Sequence, residues 1–312
     1  MQKFNYTRHQ SDDYLIDFLT RRFPYLPRED WQEAIISGAI RVNGRQVNLY
    51  YMLINKDIIS YDRPRSAEPE IDTTFELLYQ DDTIIVVNKN GNIPIDESGK
   101  YYRNTLINIL KEKAGFEELY AVHRLDKETS GVILISRKKE IASILGEQFS
   151  QQIPQKEYVA ILRGELKEEE ILVDQPIKKN IPLPGRVRIR QIISPTGKPS
   201  KTLFTRYNVA NGLTLAHVKL FTGRTHQIRC HAEFIRYPIL GDKLYGQSDR
   251  QFLAILKEEM KPDFPPYGII DRQLLHAYSL EFEHPVSGET MKFTSDYRKE
   301  FSKYESVQSL IN

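Results

Sequence analysis

Residues 123–131 read His123-Arg124-Leu125-Asp126-Lys127-Glu128-Thr129-Ser130-Gly131 and lead directly into Val132-Ile133-Leu134-Ile135. One carboxylate, Asp126, stands between the basic residues Arg124 and Lys127, and the chain then turns through Thr129, Ser130 and Gly131 into an apolar run. A lone Asp in a loop is most often a turn former or helix cap, and Thr129-Ser130-Gly131 would pass as plain turn residues. The strand that follows alters the weighing. An acid at the end of a buried strand, held by a polar turn, is how a rigid sheet presents a reactive group.

Working outward from that strand, Phe75 to Tyr79 and Thr83 to Asn88 are strand-like, with Asp81-Asp82 as the turn between them. After Val132 to Ser136, the spacing of Ile141, Leu145 and Phe149 predicts a helix with one apolar face. Further strands are expected at Tyr158 to Leu162, Thr202 to Val209 and Leu213 to Phe221, and a second helix from about Thr225 to Phe234. Strands occur both adjacent and interrupted by helices, without sustained β-α-β alternation. This predicts an α+β fold with a mixed, largely antiparallel sheet flanked by helices.

A chain of 312 residues with 40% hydrophobic and 28% charged residues can bury a sizeable core. Its single cysteine, Cys230, excludes an internal disulfide and a cysteine-rich zinc module, which fits a reducing compartment. Residues 1–10 hold no apolar stretch, so neither a signal peptide nor a membrane span is read there, and a soluble cytoplasmic protein is expected. His226, Cys230 and His231 lack a recognised zinc spacing, so no metal is expected.

Charge is unevenly distributed. From Gln175 through Ala232 there is no Asp or Glu, and this run carries a net +11, leaving the rest of the chain at −9 against an overall +2. Such asymmetry marks a polyanion-binding face on an acidic body. The plainer alternative is a strand pair whose charges are balanced by acidic neighbours elsewhere in the fold.

Residues 12–61 read as a small unit of their own. Tyr14, Leu15, Phe18 and Leu19 recur at helical spacing, as do Trp31, Ala34 and Ile35. Gly38 ends a helix, and residues 40–47 form a hairpin pattern with Asn43-Gly44 at its turn. Two helices followed by an arginine-bearing hairpin resemble the alpha-L RNA-binding domain, known from a small-subunit ribosomal protein and many RNA-modifying enzymes. Leu15, Phe18, Leu19, Arg22, Gly38, Val42, Asn43, Gly44, Leu53 and Asp57 fit that pattern. Residues 11–70 contain 8 basic and 10 acidic side chains, so only a local stripe of Arg21, Arg22, Arg41 and Arg45 could touch phosphate. A small α+β module for protein contacts is the alternative. Residues 62–74 read as a linker, with two prolines, many charges and no periodicity, and the main domain is expected at 75–312.

Taken whole, the 123–131 string resembles the central motif of the RluA family of RNA pseudouridine synthases. Two further segments extend the resemblance. One is Gln155-Lys156-Glu157-Tyr158 with Val159 to Gly164. The other runs from Leu220 to His231 through Gly223-Arg224-Thr225-His226-Gln227-Ile228-Arg229 and continues at Tyr237 to Gly246 with Gly241-Asp242. The likeness covers about Asp12 to Tyr297. It departs at residues 88–96, where the family usually has Lys-Pro-x-Gly and a later Val-His; Asn90 replaces the proline and Asp96 the histidine. Arg272 to Ala277 and His284-Pro285 also match and are expected to support the fold rather than the chemistry.

The resemblance implies a cofactor-free isomerase, a monomer whose partner is RNA. Pseudouridine formation breaks the bond between ribose C1′ and uracil N1, turns the base, and joins C5 to C1′. It implies Asp126 as the essential carboxylate, acting on the sugar or base. Arg229 would pair with that carboxylate, and Tyr158 would act as the active-site tyrosine. Ile228 would form an apolar wall for the base, and Arg124 would fill the gap left by a flipped nucleotide. Tyr158 as a proton carrier needs a perturbed phenol, whereas stacking on uracil needs none. In a chain with 18 tyrosines it could equally be a packing residue. For Arg229 the alternative is a surface pair with Glu233 four residues on. Arg186, Arg188, Arg190, Arg41 and Arg45 are the expected phosphate contacts. Large-subunit ribosomal RNA is the expected target and tRNA the second choice. A non-catalytic RNA-binding or ribosome-assembly factor would predict loss of Asp126, Tyr158 or Arg229, and all three are present. A glycoside or nucleoside hydrolase would normally need two opposed carboxylates, where the motifs offer one acid beside an arginine.

Overall fold

The computed structural model describes residues 2–7, 13–23, 26–62, 68–97, 101–180 and 189–312. The chain divides into two compact units, Met1–Glu68 and Pro69–Asn312. The first holds β1 (Gln2–Asn5), α1 (Leu15–Arg22), α2 (Arg28–Ile36), β2 (Ile40–Val42), β3 (Arg45–Gln46) and β4 (Ile58–Tyr61). Its four-stranded antiparallel sheet has the order β1-β4-β2-β3, so the unit begins ahead of the expected boundary at residue 12. Leu15, Leu19, Trp31, Ala34 and Ile35 are buried against the sheet as their helical spacing requires. Asn43 and Gly44 both have positive φ, 50° and 78°, the left-handed pair that a two-residue hairpin needs for its strands to keep their twist.

The second unit runs β5 (Phe75–Gln80), β6 (Ile84–Lys89), α3 (Leu106–Ala114), β7 (Tyr120–Ala121), β8 (Ser130–Ser136), α4 (Lys139–Ser150) and β9 (Gln155–Arg163). It continues through β10 (Glu170–Asp174), β11 (Ile177–Lys179), β12 (Gln191–Ile193), β13 (Lys201–Ala210), β14 (Leu213–Leu220), α5 (Gln227–Phe234) and α6 (Asp249–Leu256). It closes with β15 (Leu275–Glu283), β16 (Thr290–Thr294), α7 (Arg298–Phe301) and α8 (Gln308–Ile311). Ten strands form one sheet with the path β10-β13-β14-β9-β15-β8-β6-β5, β16 beside β15 and β7 beside β8. This is the α+β architecture expected from the sequence. Residues 69–74 belong to this unit rather than to a linker: Ile71 packs on its core, and Asp72 accepts a bond from Asn90 at 2.9 Å.

β6 and β8 are buried along their whole length, which is why they read as unbroken apolar runs rather than as alternations. The parallel pairing in the sheet is short. Ser130 and Gly131, at the start of β8, lie beside His276 and Ala277 of β15. Gly131 has φ 113°, and a Cβ there would stand 2.2 Å from the Ala277 carbonyl oxygen, so only glycine lets the two strands meet. The residues just before this junction are 123–129, and the junction fixes where they emerge.

Candidate active site

The Asp126 loop is braced from every side by backbone-directed bonds. Its own turn closes with the Thr129 N–H donating to the Asp126 carbonyl at 3.0 Å. One edge of β8 pairs with β15 at residues 130–131 and with β7 at 135–136. The intervening Leu134 N–H donates to His123 Nε2 at 3.0 Å. Accepting that bond requires a neutral imidazole, and burial together with nearby Lys156 pulls the His123 pKa down to about 3. The ring also stacks on Phe149 at 4.5 Å. His123 therefore holds the loop onto the sheet.

From below, the fully buried Lys89 donates to the carbonyls of Asn90 at 2.9 Å and Lys127 at 3.0 Å. Burial, reinforced by Arg272, pushes its pKa well down. Asn90 itself donates to Asp72 and to Thr74, side-chain bonds a proline could not make. Arg272 donates to the Glu128 carbonyl at 3.0 Å, and Gln273 donates to Thr129 Oγ1 at 2.9 Å and to Asp126 Oδ2 at 3.4 Å. The Arg272 to Ala277 stretch thus supports the Asp126 loop directly, a role its sequence did not disclose.

Arg229, on α5, donates through Nη1 to Asp126 Oδ2 at 2.7 Å. Its Nε and Nη2 fork onto Asp242 at 2.6 and 2.9 Å. Asp242 is 0% exposed and also accepts the backbone N–H groups of Leu244 and Tyr245, both at 2.9 Å. Two planar forks leave the guanidinium one way to point, and its remaining nitrogen, Nη1, aims at Asp126. Burial works against the charge on Arg229, but Asp242 and Asp126 outweigh it and raise its pKa. For Asp126 burial pushes the pKa up, and the Arg229 charge, the neighbouring His226 and the bonds from Arg229 and Gln273 bring it below the ordinary aspartate value. The side chain is 27% exposed. The result is an ionised carboxylate with Oδ2 held, while Oδ1 accepts no hydrogen bond among the described residues and has His226 Nε2 3.8 Å away.

Tyr158 lies on β9, half-buried. Burial and the Asp126 carboxylate raise its phenol pKa, which disfavours a proton-carrying role and suits a ring used for stacking. Ile228 is 4% exposed, in a cluster with Ala160, Leu162, Val218 and Ile239 against which Tyr158 packs. It has little surface left to form a wall of its own. Arg124 is exposed and makes no hydrogen bond to another described residue. Arg41 and Arg45 are also exposed, whereas Arg21 is spent on Asp13 through two bonds of 2.9 and 2.6 Å.

Two expectations change. Glu233 pairs not with Arg229 but with Arg190, at 3.0 Å. Arg190 also donates to the carbonyls of Leu244 and Gln247, lies over the Tyr245 ring and is 13% exposed, so its charge is consumed inside the fold and is not offered to phosphate. Arg186 and Arg188 lie outside the described residues. Asp242 was legible only as part of a family string. The sign that could have found it is that the acid-free run ends where Glu233 and Asp242 begin to supply partners for Arg190 and Arg229. Both nitrogens of His231 are occupied, by Thr202 Oγ1 at 2.8 Å and the Gln175 carbonyl at 3.0 Å.

A family model described as RNA pseudouridylate synthase matches residues 83–234. Ribosomal large subunit pseudouridine synthase C of Haemophilus ducreyi is 30% identical over 308 residues, 95% of this chain and 92% of that protein. The mitochondrial tRNA pseudouridine(32) synthase of Saccharomyces cerevisiae is 29% identical over 238 residues, 76% of this chain and 51% of that protein. Among solved structures, human RNA pseudouridylate synthase domain containing 1 shares the fold, with a TM-score of 0.58 at 22% identity over 76% of this chain and 91% of that one. The family model and the near-full-length relative define an isomerase of uridine in RNA. The chain belongs to the RNA pseudouridine synthases, in the RluA family.

Proposed function

We propose that this enzyme converts uridine to pseudouridine in large-subunit ribosomal RNA, with Asp126 as the reacting carboxylate. The observation that carries the role of Asp126 is the asymmetry of its two oxygens: Oδ2 is taken by Arg229, and Oδ1 accepts no hydrogen bond among the described residues. Attack on the sugar or base and deprotonation of the sugar both need the carboxylate ionised, and the lowered pKa supplies that state at neutral pH. The Tyr158 ring offers a face for the uracil, with Ile228 supporting it from the core. Arg124, exposed beside Asp126, is free to enter the space a flipped nucleotide leaves. Arg41 and Arg45 of the N-terminal unit contribute phosphate contacts. The ribosomal target rests on the bacterial relative matched along nearly its full length; the yeast tRNA enzyme keeps tRNA as the second reading.

The test is pseudouridine mapping by mass spectrometry in separated ribosomal RNA and tRNA from cells with and without the gene, restored with wild type or Asp126→Asn. Loss from the large-subunit fraction, recovered only by wild type, is the expected result. Loss confined to tRNA transfers the assignment to tRNA. Full recovery by Asp126→Asn overturns the role of Asp126.

A further inference from the structure

His226 is the residue before α5 and adopts φ 54°, ψ 22°, a left-handed conformation that a β-carbon makes costly. Its imidazole is 15% exposed and sits between two groups: Nδ1 is 3.2 Å from the Tyr245 hydroxyl, and Nε2 is 3.8 Å from Asp126 Oδ1. Tyr245 is fully buried, with Arg190 and Arg229 over its ring at 5.3 and 5.0 Å. Its hydroxyl oxygen accepts the Gln191 N–H at 2.8 Å. A buried phenol must also place its own proton, and among the described residues His226 Nδ1 is the acceptor in reach. Tyr245 therefore donates to Nδ1, which leaves the imidazole proton on Nε2, facing the open oxygen of Asp126.

We infer that His226 is a positioning residue for the reaction: a neutral N–H donor, held in one tautomer by Tyr245, that orients Asp126 Oδ1. Burial lowers the His226 pKa and so favours the neutral ring. Arg229 fixes one carboxylate oxygen by charge, and His226 fixes the other without adding charge. The Oδ1 atom keeps its reactivity while its direction is set. At 3.8 Å the contact is longer than a hydrogen bond, so the proposed role requires it to shorten when substrate binds. This rests on Asp126 as the reacting group and not on which RNA is modified.

The test uses total RNA from cells lacking the gene as substrate, so that it is indifferent to the identity of the modified RNA. Kinetics are measured for wild type, His226→Ala, His226→Gln and Tyr245→Phe, with ¹⁵N-histidine spectra of the free enzyme. Expected are a kcat lower by about 10–100-fold in His226→Ala with KM little changed. Recovery to within about threefold is expected in His226→Gln, which restores an N–H, and a loss of about fivefold in Tyr245→Phe. The wild-type spectrum should place the His226 proton on Nε2, and Tyr245→Phe should release that preference. A folded His226→Ala with wild-type kcat, equal losses in the Ala and Gln variants, or a proton on Nδ1 would each overturn the proposal. If His226→Ala does not fold, the spectrum and Tyr245→Phe, whose ring keeps its packing, decide it. Absence of activity in the Asp126 wild type itself would count against the catalytic reading instead.

Discussion

Each unit carries a carboxylate at the heart of a loop, and the two are satisfied in opposite ways. In the N-terminal unit Asp57 is 2% exposed and accepts from Asn43 at 2.7 Å, the Ile54 N–H at 3.0 Å and the Tyr51 hydroxyl at 3.3 Å. All its donors are neutral and local, and both oxygens are occupied. Asp126 has one oxygen held by a charged partner that comes from 103 residues away, and that partner is braced by a second acid. Asp57 uses its lone pairs to fold a loop. Asp126 is held through Oδ2 by partners on other elements, and Oδ1 accepts no hydrogen bond among the described residues. The two carboxylates differ less in being held than in whether their partners are local and neutral or distant and charged.

The largest expected effect that would break this contrast is on turnover. Asp126→Asn should lower kcat by about 10³-fold or more while the protein stays folded with a modest drop in melting temperature, because Arg229 keeps Asp242 as its partner. Substantial residual turnover would make Asp126 another Asp57. Next is Asp242→Ala, which leaves Arg229 buried with its main counter-charge removed. Denaturant titration should read a loss of about 3–5 kcal/mol. Asp57→Ala strands three donors and should cost about 1–3 kcal/mol, confined to the N-terminal unit. Trp31, the single tryptophan and part of that unit's core, reports it by fluorescence.

The pH profile sharpens the comparison further. Because the Asp126 carboxyl titrates below its unfolded value, its stabilising contribution is fully present above the ordinary aspartate range and is lost only as pH falls through the lower folded value. The acid limb of kcat/KM should therefore lie below that range, and Gln273→Ala should move it upward. A wild-type limb at or above the ordinary value would contradict the paired carboxylate. The smallest effect concerns salt. Arg41→Ala and Arg45→Ala should each reduce the slope of log affinity against log salt by about 1, whereas Arg190→Ala should leave the slope intact and destabilise the fold.

Much of the sheet was legible because the central strands are buried on both faces and carry their signal as unbroken apolar runs, as in β6 and β8. The expected helix around Ile141 to Phe149 is α4, Lys139–Ser150, since a one-sided helix must show its period. α3 escaped notice although its signals are present. Thr105 caps it by accepting the Asn108 N–H, and Gly115 ends it in the left-handed region. The site was legible where one short string holds a residue and its setting, as at Asp126 and Arg229. It was not legible at Asp242, Gln273 and Lys89, whose roles exist only through partners far along the chain. The acid-free run misled in part. A count of charges cannot distinguish a free guanidinium from Arg190, which is already bound to Glu233.

The short parallel junction between β8 and β15 has a consequence in time. The contacts of Asp126 with Gln273, and of Ser130 with His276, span 147 and 146 residues, so nothing made earlier can stand in for them. At a synthesis rate of about 5–20 residues per second, roughly 7–30 s separate the emergence of the motif from that of the strand that seats it. The N-terminal sheet closes through residues 2–61 well before then. During translation, the contacts that seat the Asp126 loop against β15 cannot form until β15 has been made, whereas every strand of the N-terminal sheet is already present.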